Sequence, residues 1–296
     1  MCIRDRDEQL RTEFGLADGL ADTTTWGELA ERTTDLKIPE GTSPDQAFVQ
    51  ILDPATGTGT FPVEVIDLIY KTMTAKWQSQ GNREAQIKEL WNEYVPKHLL
   101  PRLHGYELMM APYAIAHMKI GLKLYETGYR FNSDQRARIY LTNALEPAQD
   151  FSGTLAFAIP ALARESKAVN TIKRDCLFTV VIGNPPYSSL SQNMGDWIKT
   201  LVSDFRKIDG VPIHEKGKRN HLQDDYVKFL RLGLAQVEES GVGICGFITN
   251  HSYVYSPTFR AMRNYISRTI NLGKIIELNG DIKSCLLYTS PSPRDS

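Results

Sequence analysis

Phe48-Val-Gln-Ile-Leu52 runs directly into Asp53-Pro-Ala-Thr-Gly-Thr-Gly-Thr-Phe61, and an apolar stretch continues to Tyr70. A short apolar run, a glycine-rich turn and a helix-length apolar segment make the first half of a nucleotide-binding βαβ unit. The glycines let backbone come close to a ligand, and the helix behind them turns its free N–H groups toward it. On this stretch alone three readings stand. A phosphate-gripping loop needs a Gly-Lys-Ser/Thr ending, whereas Gly59 is followed by Thr60 and Phe61. A dinucleotide fold wants a third small residue and an acid about 20 residues on. Pro62 stands at the first place, and the strand-end acid Glu107 lies much farther along. An ordinary tight turn in an α/β core is the third reading.

Outward from that turn, strands and helices alternate. Residues 71–101 are polar and helix-prone, with Trp77, Leu90, Trp91 and Tyr94 as apolar points, and read as an insertion on the rim. Leu103–Leu108 is a second strand, and the helix after it carries Ile115, Met118, Leu122 and Tyr125 at a spacing expected to face a sheet. Arg138–Leu145 supplies a third strand and loop. Leu177–Gly183 is a continuous apolar run of the kind buried on both faces, and it delivers Asn184-Pro185-Pro186-Tyr187. A helix over about His221–Glu238, with Leu222, Tyr226, Phe229, Gly233 and Val237 on one side, and strands at Gly243–Thr249 and Lys274–Leu278 complete the pattern. This alternation predicts an α/β fold with a doubly wound, mostly parallel sheet.

Composition sets limits on function. With 34 Lys+Arg against 35 Asp+Glu the formal charge of the 296 residues is -1, which excludes a histone-like polycation and leaves only local basic patches for a nucleic acid. No apolar run approaches the ~18 residues of a membrane span. Met1–Leu10 is charged and lacks the apolar stretch of a secretory signal, and the four cysteines show no CxxC spacing, so a cytoplasmic setting in a bacterium or archaeon is expected. The histidines and cysteines form no recognisable metal-ligand set.

Both ends look foreign to the rest. Residues 1–6, MCIRDR, and 284–296, the Ser/Pro-rich tail, share no periodicity with their neighbours and are expected to be non-native, adapter-derived sequence. Between them, 7–45 is polar and Thr-rich with a Pro39–Pro44 loop and reads as a lead-in outside the core. Residues 46–283 read as one incomplete catalytic domain.

The pairing of DPATGTGTF with NPPY, each at the end of an expected strand, resembles the S-adenosylmethionine-dependent DNA methyltransferases that act on amino groups. The resemblance implies the Rossmann-like class I methyltransferase fold and S-adenosylmethionine as cofactor. It places Asp53, Pro54, Ala55, Gly57 and Gly59 around the methionine part of the cofactor, Glu107 at its ribose hydroxyls and Asn143 near its adenine ring. Asn184 and the carbonyl of Pro185 would accept hydrogen bonds from the target amine, with Pro186 stiffening the loop and Tyr187 stacking on a base extruded from the duplex. Asp225, Tyr226 and Phe229 resemble the helix that follows the catalytic loop in this family. The FxGxG-like element that usually precedes the glycine loop is not legible.

The resemblance further implies a site-specific, adenine-N6 DNA methyltransferase. The segments LHGYELMMAPYAIAHMKIGL and ITNHSYVYSPTFRAMR look like the methylase portion of type ISP restriction-modification proteins, whose nuclease, helicase-like and target-recognition parts share the same parent chain. Double-stranded DNA with a flipped adenine would then be the partner, held by Lys207, Lys216, Lys218 and Arg219, and by a second cluster of Arg260, Arg263, Arg268 and Lys274. NPPY loops also serve methyltransferases that act on protein glutamine or RNA bases, and a non-catalytic DNA-binding relic is a further alternative.

Overall fold

The computed structural model describes residues 2–34, 36–148, 160–187, 191, 193–213, 221–270, 275 and 276. Its strands are β1 (Ile51–Asp53), β2 (Leu103–Glu107), β3 (Arg138–Leu141), β4 (Val180–Gly183), β5 (Lys207–Ile208), β6 (Val211–Pro212) and β7 (Ile244–Phe247). Five of them form one sheet in the order β3-β2-β1-β4-β7, with every pairing parallel. This is the α/β fold with a doubly wound, parallel sheet that the alternation of strands and helices predicts. The chain winds from β1 outward through β2 to β3, then returns to lay β4 on the other side of β1. Central β1 and β4 are buried along their whole length, as strands covered on both faces must be.

The longer helices of the described residues are α1 (Cys2–Glu13), α2 (Trp26–Arg32), α3 (Thr60–Ser79), α4 (Glu84–Tyr94), α5 (Met110–Glu126), α6 (Pro160–Asp175), α7 (Asp196–Ser203), α8 (Asp225–Ser240) and α9 (Arg260–Thr269). In α3 the buried residues Pro62, Val65, Ile66, Ile69, Met73 and Trp77 lie on one helical stripe. Pro62 is tolerated because it sits in the first turn, where its missing N–H has no helical acceptor. Inside α8, Gly233 lets the helix lie on β7, since a Cβ there would come within 2.6 Å of the Phe247 ring. Among the described residues no helix is long and apolar enough to cross a membrane.

The structure corrects three expectations. The face of α5 carrying Ile115, Met118, Leu122 and Tyr125 is exposed, and the buried stripe is Ala116, Ile120 and Leu124. This helix is apolar on two sides, and the side that turns inward is the one carrying Ala116, whose small side chain lets the backbone at Gly59 come close. The 7–45 stretch is no mere lead-in. Leu10, Leu16, Leu20, Trp26 and Leu29 belong to the main core, α2 begins with a Thr25/Glu28 capping box, and buried Arg102 donates to the Ala21 and Asp22 carbonyls. Residues 71–101 likewise enter the core, where Trp91 is stacked with Tyr94 at 5.8 Å and donates to Thr127 Oγ1 at 3.0 Å.

Two units divide the chain: residues 1–202 with 220–249, and 203–219 with 250–296. The second contains the antiparallel pair β5–β6 and helix α9, with buried Phe205 edge-on to Tyr265 at 5.4 Å. In the expected strand Lys274–Leu278 only Ile275 and Ile276 are described, and they belong to no regular element. Residues 2–6 open α1, and 284–296 lie outside the described residues.

Candidate active site at the switch point of the sheet

Because the chain reverses its winding direction at β1, the ends of β1 and β4 are neighbours that no crossover helix separates, and such a crevice is where open α/β sheets take ligands. Here it joins the two motifs. Val180 and Val181 of β4 pair with Ile51 and Leu52 of β1, so the Asp53 loop and the Asn184 loop leave the sheet side by side.

Backbone contacts build the glycine loop. Thr56 N donates to the Tyr106 carbonyl at 3.0 Å and Gly59 N to the Thr56 carbonyl at 2.9 Å, folding the turn back before α3 begins. Gly59 has φ of 80° and a Cβ there would lie 3.0 Å from Ala116 Cα, so both conformation and space call for glycine. Glu107, at the end of β2, accepts from Gly57 N and from Met109 N, each at 2.8 Å. A half-buried carboxylate thus spans the two loops, with lone pairs left for further donors.

Asp53 is 1% exposed. Its Oδ1 accepts from Ala55 N at 3.1 Å, while Oδ2 is buried with no hydrogen-bond partner among the described residues. Gly183 of β4 keeps this carboxyl uncovered, for a Cβ there would press on Asp53 Oδ1 at 2.8 Å. Loss of hydration pushes the carboxyl up to about 7 from its ordinary 3.8; the Ala55 N–H opposes the rise and the Glu107 charge adds to it. An orphaned acid of this kind is poised for a cationic partner.

In the tetrapeptide after β4, Asn184, Pro186 and Tyr187 are exposed and Pro185 is buried. The Tyr187 hydroxyl stands 2.8 Å from Asn184 Oδ1 and 3.1 Å from the Ile248 carbonyl, and its single proton serves one of them at a time. The Tyr187 ring is 51% exposed and lies 6.4 Å from the buried ring of Tyr226 on α8. Tyr226 and Phe229 themselves are buried, Phe229 in the second apolar cluster.

Asn143, beyond β3, has its amide in use. It donates to Asn193 Oδ1 and Glu146 Oε1, each at 3.0 Å, and accepts from Leu145 N at 3.0 Å. Its side-chain amide is thus engaged at both ends, and its carbonyl accepts from Lys173 Nζ at 2.7 Å. Sequence reasoning missed what lies behind it: Ser191, Asn193 and Lys228, gathered on Asp225. Burial draws the Lys228 ammonium below its ordinary value and the Asp225 carboxylate resists. The available signal was a lysine three residues after an aspartate inside an apolar helix.

Of the expected DNA contacts, Lys207 lies on β5 and pairs with Asp204 at 3.4 Å. Lys216, Lys218 and Arg219 lie outside the described residues, as does Lys274. In the second cluster Arg263 donates to the carbonyls of Tyr253 and Ser256, at 2.8 and 2.7 Å, and Arg268 pairs with Asp209.

A profile of the Eco57I restriction-modification methylase family matches residues 105–283, well over half of the chain. No curated protein matches. Among solved structures, the chain is similar to a nuclease-deletion mutant of the type ISP restriction-modification enzyme LlaGI in complex with a DNA substrate mimic (TM-score 0.61, 21% identity, 88% of this chain and 18% of that one). It is also similar to the ATP-dependent type ISP enzyme LlaBIII bound to DNA (TM-score 0.59, 22% identity, 87% and 15%). A third likeness is to the DrdV–DNA complex (TM-score 0.52, 23% identity, 90% and 21%). These likenesses speak to the fold, and the chain spans about a fifth or less of the first two enzymes' length.

Proposed function

Because the chain belongs to the Eco57I restriction-modification methylase family, we propose that it is the methyl-transferring part of a restriction-modification protein, acting on the exocyclic N6 of an adenine flipped out of double-stranded DNA. The observation that carries the reading is the pairing of β1 with β4, which sets the glycine loop and the Asn184 loop together at the switch point.

S-adenosylmethionine, when bound, supplies an electrophilic methyl group on a sulfonium. The residues at the crevice fit it. The α-ammonium of its methionine part matches the buried, unpartnered Asp53 Oδ2, flanked by Pro54 and Ala55. Its ribose hydroxyls match Glu107, which already gathers two backbone donors. Gly57 and Gly59 keep the wall of the crevice free of side chains.

An adenine amine is a poor nucleophile because its lone pair is delocalised into the ring. Asn184 Oδ1 and the Pro185 carbonyl oxygen each accept one amino hydrogen, drawing the nitrogen toward tetrahedral geometry and aiming its lone pair. The prolines hold those two acceptors. Tyr187, half exposed beside Asn184, offers the extruded base a face to stack on, which offsets a few kcal/mol of unstacking. The developing positive charge rests on neutral oxygens, and the proton leaves to solvent.

The test is to incubate the protein carrying this chain with unmethylated DNA and methyl-labelled S-adenosylmethionine. Label in N6-methyladenine, abolished by Asn184→Ala, is expected. Label only in protein or RNA, or label untouched by the substitution, would overturn the reading. DNA, and nuclease and helicase-like parts on one parent chain, are the partners we propose with it; the three similar structures, all complexes with DNA or a mimic of it, support that choice.

A further inference from the structure

Behind the NPPY loop lies a closed polar group to which the reaction above assigns no role. The Lys228 and Asp225 side chains are only 4% and 10% exposed and stand 3.7 Å apart on α8. Two buried charges forfeit hydration, and apolar residues of the same volume often serve stability as well. Stability alone therefore does not account for them.

What apolar residues cannot do is make these bonds. Lys228 Nζ donates to Ser191 Oγ and, at 2.6 Å, to the Asn193 carbonyl. Ser191 Oγ donates in turn to Asp225 Oδ1 and accepts from Asn193 N at 3.1 Å. Asn193 Nδ2 donates to the same Asp225 oxygen at 3.1 Å. Every donor and acceptor of the serine is then in use, with one hydroxyl orientation possible.

The next bond leaves this group. Asn193 Oδ1 accepts from Asn143 Nδ2 at 3.0 Å, and on the far side Lys173 Nζ donates to the Asn143 and Glu146 carbonyls at 2.7 and 2.9 Å. The segment that follows β4 is thereby tied to the loop that follows β3, two strands away across the sheet from β1.

We propose that Asp225 and Lys228 are positioning residues: they fix the segment carrying Ser191 and Asn193 and, through the Asn193–Asn143 bond, register the target loop against the cofactor-side loop. This rests on the methyl-transfer reading, in which the two loops serve the two substrates. A displacement of about 1 Å between reacting groups costs as much as 10²-fold in rate, so the tie has consequences for turnover without either residue touching a substrate.

The test uses two variants of the protein carrying this chain. Lys228→Met keeps the aliphatic stem, and Asn193→Ala removes the link from a half-buried loop position, so it serves even if the first fails to fold. Backbone amide exchange should quicken in the peptide carrying Ser191 and Asn193 and in that carrying Asn143, and stay unchanged in α3. In turnover, kcat should fall by about 10²-fold with KM for DNA little changed, and Lys228→Arg should recover part of it. Asn193→Ala and Asn143→Ala combined should cost less than the sum of the two single losses, because the bond between them is removed by either. Unchanged exchange in both peptides, or additive losses in the double variant, would overturn the proposal. A protein that methylates nothing but shows the exchange pattern would sink the function reading and, with it, the positioning role, leaving only the tie between the two segments.

Discussion

Asn at position 53 should change how stability depends on pH. Asp53 is fully buried, with one oxygen unpartnered, and its carboxyl is pushed up to about 7 in the fold against 3.8 ordinarily. Below 3.8 both folded and unfolded chains hold the proton, and the group contributes nothing. Between 3.8 and 7 only the folded chain keeps it, so stability falls by ~1.36 kcal/mol for each pH step. Above 7 the loss is complete, at roughly 4 kcal/mol. Asp53→Asn abolishes this dependence, because the amide does not titrate. Its Nδ2 inherits the unpartnered position, a constant cost of about 1–3 kcal/mol. The difference in stability, variant minus wild type, should therefore rise by roughly 2.5 kcal/mol between pH 5 and pH 8. Urea unfolding of both proteins at pH 5, 6, 7 and 8 reads it directly. A difference that stays flat over that range would show that Asp53 ionises normally in the fold and would refute the reasoning. S-adenosylmethionine should reverse the preference: its affinity for the wild type should strengthen as pH rises from 5 to 7, and its affinity for the variant should be weaker and flat over that range, which lies below the titration of the cofactor's own α-amino group at about 7.7–8.0.

Tyr187→Phe keeps the stacking ring and removes the hydroxyl beside Asn184 Oδ1, so kcat should fall by about fivefold, the worth of one ~1 kcal/mol hydrogen bond, with DNA KM held. An unchanged kcat in steady-state methylation would separate that hydroxyl from the orientation of the amide. Ile120→Ala on α5 should cost ~2–5 kcal/mol, whereas Leu122→Gln on the exposed face should stay within about 0.5 kcal/mol; chemical denaturation giving the reverse order would restore the face expected from spacing. Gly59→Ala places a side chain at φ of 80° and against Ala116, and should lower the unfolding free energy by at least ~1–2 kcal/mol; an unchanged denaturation midpoint would contradict the tight turn.

The strand-end loops were legible because glycine and proline restrict the backbone in ways that local sequence announces. Asp53–Gly59 and Asn184–Tyr187 stand where the apolar runs end, and β2 starts at the expected Leu103. The buried face of α5 was not legible. Ile115, Met118 and Leu122 recur as regularly as Ala116, Ile120 and Leu124, and only the neighbouring backbone at Gly59 decides between them. In 7–45, Leu10, Leu16, Leu20 and Trp26 follow no single period, so their burial depends on α3 and β7 rather than on local pattern. The polar tie behind the Asn184–Tyr187 loop escaped for a related reason: Asn143 and Asn193 are 50 residues apart, and Ser191 and Asp225 are 34 apart. Polar side chains signal no partner until the chain has been folded.

The seat of β4 against β1 also sets a clock on synthesis. Gln50 N donates to Thr179 Oγ1 across 129 residues of chain. At about 5–20 residues per second, a ribosome needs roughly 6–26 s to bring the second partner out after the first. During that interval Ile51 and Leu52 gain only β2 as a neighbour, and the flank that β4 will take stays open. The crevice is thus absent from the nascent chain until late, and the apolar edge of β1 is open to chaperones or to a neighbouring nascent chain before it is open to any substrate.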